Sequence, residues 1–342
     1  MSRGARAFLP LLAAAVLAAG WAAPAGADDD AGTGSVFSFG AGNRALGMGG
    51  AFVATADDAS ALAWNPGGLG LLQRAEGQVV QSAGLGLGFS EFYGSVVLPS
   101  WRFGTLGLMV RQFGVGGIEQ RDDRNVLLSD DLTDSELELA LGYGRALGPA
   151  WSLGGAVKLQ HHSLAGFSGS GLGADLGAVV KPALALGVDA PWAQRLSLGL
   201  AVRNALQPQT RLDRDAAADP TALRAGLSYR VPLGAGWARA GADVSQARGE
   251  AARLHAGLEL QPLAAAAVRV GADGGRLAAG ASVSLADLSV DYAFRSNPLA
   301  EEHRVGLTLH FGSTLEARRT AARRAEDEAL QKRLAEGFRQ RQ

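Results

Sequence analysis

The sequence predicts an all-β, transmembrane antiparallel β-barrel of about fourteen strands, with an N-terminal plug (hatch) and a short C-terminal helix. Three observations predict it. The chain opens with an export signal. Segments of about ten residues alternate apolar and polar side chains. The connections between those segments alternate between short and long.

Bulk composition narrows the field first. The chain has 342 residues, 47% hydrophobic and only 19% charged, with 48 glycines and no cysteine. Net charge is -1, so no basic field points to nucleic acid. Without cysteine there is no disulfide scaffold and no thiolate metal site.

At the N-terminus, Arg3 and Arg6 precede an apolar run from Ala7 to Ala19. Ala25-Gly26-Ala27 then supplies the small residues that signal peptidase needs, so residues 1–27 read as a signal peptide. No later stretch approaches the roughly 20 apolar residues of a membrane helix. An exported, Leu- and Val-rich chain without such a helix is either soluble and periplasmic or a barrel.

The alternation favours the barrel. Leu137, Leu139, Leu141 and Tyr143 share one parity against Glu136, Glu138, Ala140 and Gly142. Trp151, Leu153, Val157 and Leu159 oppose Ser152, Gly154, Ala156, Lys158 and Gln160; Val305, Leu307, Leu309 and Phe311 oppose Arg304, Gly306, Thr308 and His310. Successive side chains of a strand face opposite sides, so each segment has one greasy face and one polar or small one. The segments have the length of a tilted bilayer-crossing strand, and their polar parity carries the Glu, Arg, Asp, Lys and Gly of a hydrated or plug-filled lumen. Trp101, Tyr143, Trp151, Tyr229 and Phe311 sit near segment ends, where an interfacial girdle belongs.

This reading places the barrel over residues 77–311 in fourteen spans: 77–86, 89–98, 101–114, 135–146, 151–161, 170–181, 195–206, 222–231, 236–246, 252–261, 265–272, 276–285, 288–295 and 303–311. Every second connection is short, and the long polar stretches 115–134, 162–169 and 207–221 fall on the other side. That rhythm puts both termini in the periplasm. Connection 182–194 breaks it by being long where a short turn is expected. The third span also changes parity near Gly104-Thr105, a slip that requires a bulge or kink.

Residues 28–76 form the expected plug. Gly47, Gly49 and Gly50 allow close packing and positive φ. Asp57-Asp58-Ala59-Ser60 reads as a cap for a short helix through Trp64, and Asn65-Pro66-Gly67 as the turn that stops it. Asp57 and Asp58 are expected as caps or as partners of lumen arginines. Gly42 to Leu69 resembles the N-terminal signature of outer-membrane proteins related to the FadL-type transporters of hydrophobic compounds, closest to their PorV/PorQ-like branch. There a RALGMGGAF run, here Arg44 to Phe52, leads to DDASA, here Asp57 to Ala61, and then to NPAGL. Gly67 stands where that pattern has Ala. The resemblance implies a fourteen-stranded barrel with an internal hatch, and a kinked third strand that opens sideways for ligand.

The tail, residues 312–342, follows Phe311. Ser313 with Glu316 reads as a capping box, and Leu330, Leu334 and Phe338 recur every four residues. Eight Lys/Arg stand against five Asp/Glu from Ser313 onward.

No chemistry-bearing constellation emerges. There is no G-x-S-x-G elbow, H-E-x-x-H helix or Walker lysine, so no enzyme, cofactor or metal centre is expected. His161 and His162 are adjacent on a strand and face opposite sides, so they do not chelate one ion together. Glu136, Glu138, Asp175, Asp243 and Asp291 are expected in the lumen, opposite Arg203, Arg224, Arg230 and Arg239. Two functions follow from different classes. One is passage of hydrophobic small molecules, with outer-membrane lipid and an apolar ligand as partners. The other, implied by the branch resembled, is a subunit or cargo shuttle of a protein secretion system, with a secretion-system or periplasmic protein partner. The acidic stretch Asp122, Asp123, Asp130, Asp131 and Asp134 suits a protein-facing surface or divalent bridging to lipopolysaccharide.

Overall fold

A computed structural model describes residues 36–84, 88–213, 216–296 and 301–339. The expected signal peptide at 1–27 and the first residues of the expected plug lie outside them. So do the side chains of Leu334 and Phe338.

The strands are β1 (Ala75–Gly84), β2 (Phe89–Ser100), β3 (Gly104–Arg121), β4 (Leu127–Leu147), β5 (Trp151–Leu164), β6 (Phe167–Val180), β7 (Leu196–Leu206), β8 (Gln209–Arg211), β9 (Ala216–Ala218), β10 (Ala222–Leu233), β11 (Gly236–Ala247), β12 (Arg253–Leu263), β13 (Ala266–Asp273), β14 (Arg276–Leu285), β15 (Leu288–Arg295) and β16 (Glu302–Phe311). Fourteen of them pair with their neighbours in one closed antiparallel barrel, sealed by β1 against β16; β8 and β9 form a separate hairpin. Closure leaves no strand edge unpaired.

Parity sorts the side chains as a two-residue period requires. On β4, Glu138 and Ala140 are buried while Leu139, Leu141 and Tyr143 are exposed; on β16, Arg304 and Thr308 are buried while Val305, Leu307 and Leu309 are exposed. The interior is therefore polar in its wall, and the outer surface carries a band of exposed Leu and Val. No helix among the described residues is long and apolar enough to cross a membrane.

Four expectations change. The stretch 115–134 is largely a continuation of the β3–β4 hairpin, with register shifts beyond Val115. The stretch 162–169 likewise belongs to β5 and β6, joined by a tight turn at Ala165-Gly166. The parity change near Gly104 is no bulge. Trp101 to Phe103 form a turn, and β2–β3 pairing runs without a shift from Ser100↔Gly104 to Phe89↔Val115. Connection 182–194 is long because it folds: α3 (Pro182–Ala185) and a 3-10 turn at Ala193–Arg195 pack beside the barrel mouth.

Among the described residues, three further α-helices are α1 (Asn43–Gly47) and α2 (Ala61–Trp64) before the barrel and α4 (Leu315–Arg339) after it. The cap of α4 is Thr314, whose Oγ1 accepts the Ala317 N–H at 3.2 Å; Ser313 Oγ instead accepts Arg318 Nε. At its base the helix is hydrogen-bonded through Leu315 N to Gln73 O, just before β1, at 2.7 Å, and through Arg318 to the Pro99 carbonyl of β2.

Candidate functional site

Residues 36–72 are buried almost throughout and contact strands from every part of the ring. The contact is made possible by inward glycines. A methyl group on Gly144 of β4 would fall 2.6 Å from Leu69 Cβ, and one on Gly241 of β11 would fall 2.9 Å from Ala51 O. On Gly154 it would overlap Pro66 O, on Gly177 the Asn65 side chain, on Gly199 Val53 O, and on Gly257 and Gly271 the Met48 backbone. Gly280 of β14 meets Gly47, and Asn43 Nδ2 donates to Asp291 O on β15 at 2.8 Å. These glycines form a belt around the inner wall, and the segment lies along it.

The motif residues take distinct places on that path. Gly47 closes α1 against Gly280. Gly49 (φ +63) and Gly50 (φ +78) turn the chain in a region that disfavours side chains, with Gly49 packed on the Ala272 backbone. Asn65 Nδ2 donates to Val53 O at 2.7 Å and to Ala178 O at 3.0 Å, while its Oδ1 accepts the Gly67 N–H at 3.0 Å. Asn65 and Pro66 thus begin a 3-10 helix (Pro66–Leu71) where the sequence suggested only a stop. A Cβ on Gly67 would lie 2.7 Å from the Ala178 backbone, which accounts for glycine where the resembled pattern has alanine. The cap of α2 is indirect: Asp58 Oδ1 accepts both Ser60 N and Ser60 Oγ, at 2.9 and 2.6 Å, and Ser60 makes no side-chain cap itself.

Charge clamps the segment from the wall. Arg44 forks onto Glu259 at 2.8 and 2.9 Å and reaches Asp57 at 2.6 Å and Asp58 at 3.1 Å. Arg269 shares Glu259, and Arg239 holds Asp57 at 3.0 Å. Planar guanidinium forks suit such paired carboxylates. Burial pushes the Asp58 carboxyl up to about 6, with Arg44 opposing the rise and Glu76 adding to it. Although burial raises Asp57 as well, Arg239 and Arg44 hold it well below the usual carboxylate range. Asp243 Oδ2 accepts the N–H groups of Phe52 and Val53 at 2.7 and 2.8 Å. Arg111, fully buried, donates to Phe37 O and Gly40 O and pairs with Glu91. Of the expected lumen groups, Asp243, Arg203, Arg224 and Arg239 meet the segment, whereas Glu138 and Asp175 pair with Lys158 in the wall and Arg230 stacks on Trp237. The segment's clamp Glu259 was not singled out from sequence; its parity on 252–261 was the available signal.

The other half of the contact is apolar. Leu62, Trp64, Leu69 and Leu72 of the segment pack with Val80, Tyr93, Val97 and Met109 of β1 to β3 in one buried cluster. The lumen thus has an apolar side and a charged side. On the charged side, a cavity of about 330 Å³ is lined by Arg44, Asp57, Asp58, Glu259 and Arg269. A second, about 740 Å³, opens where the short turns lie, and Lys181, Arg195, Arg230, Trp237 and Arg239 line it. Arg230 and Arg239 stack on Trp237 at 4.3 and 5.0 Å.

No family model matches this chain, and no curated protein sequence does. Solved structures resemble it. The Ralstonia pickettii toluene transporter TbuX matches with a TM-score of 0.55 at 14% identity, over 80% of this chain and 99% of that one. The Pseudomonas putida toluene transporter TodX matches at 0.54 and 12%, over 80% and 99%. The monoaromatic hydrocarbon channel CymD matches at 0.50 and 12%, over 80% and 98%. At these identities the likeness is one of fold alone, and the fold is a closed fourteen-strand antiparallel barrel.

Proposed function

We propose that this chain is an outer-membrane channel passing small hydrophobic molecules, with residues 36–72 as its plug. The observation that carries the reading is the apolar cluster inside the barrel, between the segment and β1 to β3. A lumen built only for water and polar solutes would be polar throughout. The outward band of Leu and Val suits bilayer hydrocarbon. The fold shared with toluene transporters supports the same reading, as does the FadL-type motif at 42–69. Domain limits at 28–76, 77–311 and 312–342, and periplasmic termini, belong to this proposal.

The test is uptake of labelled toluene by cells that lack a hydrocarbon channel of their own. Expression of this chain should raise the uptake rate, and Leu62→Asp, which charges the apolar side, should abolish the gain. Uptake equal to that of cells without the chain would end the proposal. The PorV/PorQ-like secretion reading rests on the motif alone; no feature of the described residues favours it.

A further inference from the structure

On the inner face of β4, Asp134, Glu136 and Glu138 follow one another at two-residue spacing, so all three point into the barrel. Their partners differ. Glu138 has Lys158 at 3.8 Å, Arg203 at 3.6 Å and the Gln160 amide at 3.0 Å. Lys158 in turn is held by Asp175 at 2.8 Å. Glu136 sits in register between Phe113 of β3 and His162 of β5, and Asp134 between Val115 and Leu164. Neither acid has an Arg or Lys beside it in the ladder. His162 Nε2 reaches Asp134 Oδ1 at 2.7 Å, and no hydrogen bond or ion pair among the described residues is made by Glu136. One ligand atom from each of Asp134, Glu136 and His162 lies within 4.8 Å of the others. Two carboxylates thus flank one imidazole, with no Arg or Lys beside them in the ladder.

We propose that Asp134, Glu136 and His162 form a divalent metal site at the loop end of the lumen, selective for a late first-row cation such as Zn2+. The donor set decides the class. Carboxylates alone suit Mg2+ or Ca2+, whereas an imidazole nitrogen with two carboxylate oxygens suits zinc and its neighbours. Metal–ligand bonds of about 2.1 Å require ligand atoms roughly 3 to 4 Å apart, a shift within side-chain reach. The Asp134 and His162 side chains are 27% and 24% exposed, so an ion can enter and water can fill its open positions. The ion would take the place of the His162–Asp134 hydrogen bond. His161 takes no part: it faces the other side and contacts Ser170.

Tag-free protein in detergent, stripped with EDTA, should be titrated with Co2+ and followed by visible absorption, then with Zn2+ by calorimetry. One equivalent should bind. His162→Ala should weaken binding by more than the roughly 10–100-fold typical of losing an outer-shell partner. Glu136→Gln should weaken it less, and His161→Ala not at all. Heat-modified gel mobility establishes that each variant is folded. An affinity unchanged in His162→Ala, or dependent on His161, or matched by Mg2+, would overturn the proposal, as would no binding at millimolar metal.

Discussion

At Gly49 the backbone turns at φ +63, and a Cβ there would overlap the Ala272 nitrogen. Gly234, at φ +57 in the β10–β11 turn, has open space around it. Alanine at either site meets the left-handed strain, about 1 kcal/mol, but only at 49 does it also collide. Gly49→Ala should therefore cost about 1–3 kcal/mol more than Gly234→Ala, from overpacking, in urea unfolding followed by tryptophan fluorescence. Equal losses would show that the belt contact is loose. Asp58 adds a pH signature. Its folded pKa of about 6 lies above the usual 3.8, so the folded protein holds that proton more tightly. Its contribution is then greatest at low pH and is lost as pH rises through 6. The stability of Asp58→Asn relative to wild type should climb between pH 4 and pH 6 and level off above; parallel curves would refute the assignment. The turning glycines were legible in the sequence because turn chemistry is local. The bonds of Asn65 to Val53 and Ala178 were not, since nothing within the motif says which wall it meets.

Elements show the same division at larger range. Strands with one wet and one greasy face announced themselves, as along Leu137 to Tyr143. The outer halves of β3 and β4 did not, because both their faces are wet and alternation carries no information there. Trp101 to Phe103 misled for the opposite reason: aromatic residues of a turn imitate strand parity. The acids of the metal site were legible as lumen-facing, but their pairing with His162 depends on the β4–β5 register. α4 gives the clearest element-level prediction. Among the described residues it is hydrogen-bonded to the rest of the chain at its base, through Leu315 and Arg318, so truncation after Leu315 should leave heat-modified gel mobility and the melting temperature unchanged. A lower melting temperature would mean that the helix supports the barrel.

At the scale of the molecule, the described segment runs from Phe37, held by Arg111 and Arg203, to β1 at the end that carries the short turns. From residue 69 back to residue 43 it touches β4, β5, β6, β7, β11, β12, β13 and β14, and then β15 and β16. That is the order of those strands along the chain. Each of them has its own docking residue, so the segment is a template matched to the wall strand by strand. It also fixes the circumference: a sheet one strand short would leave Asn43 without its carbonyls when β16 closes on β1.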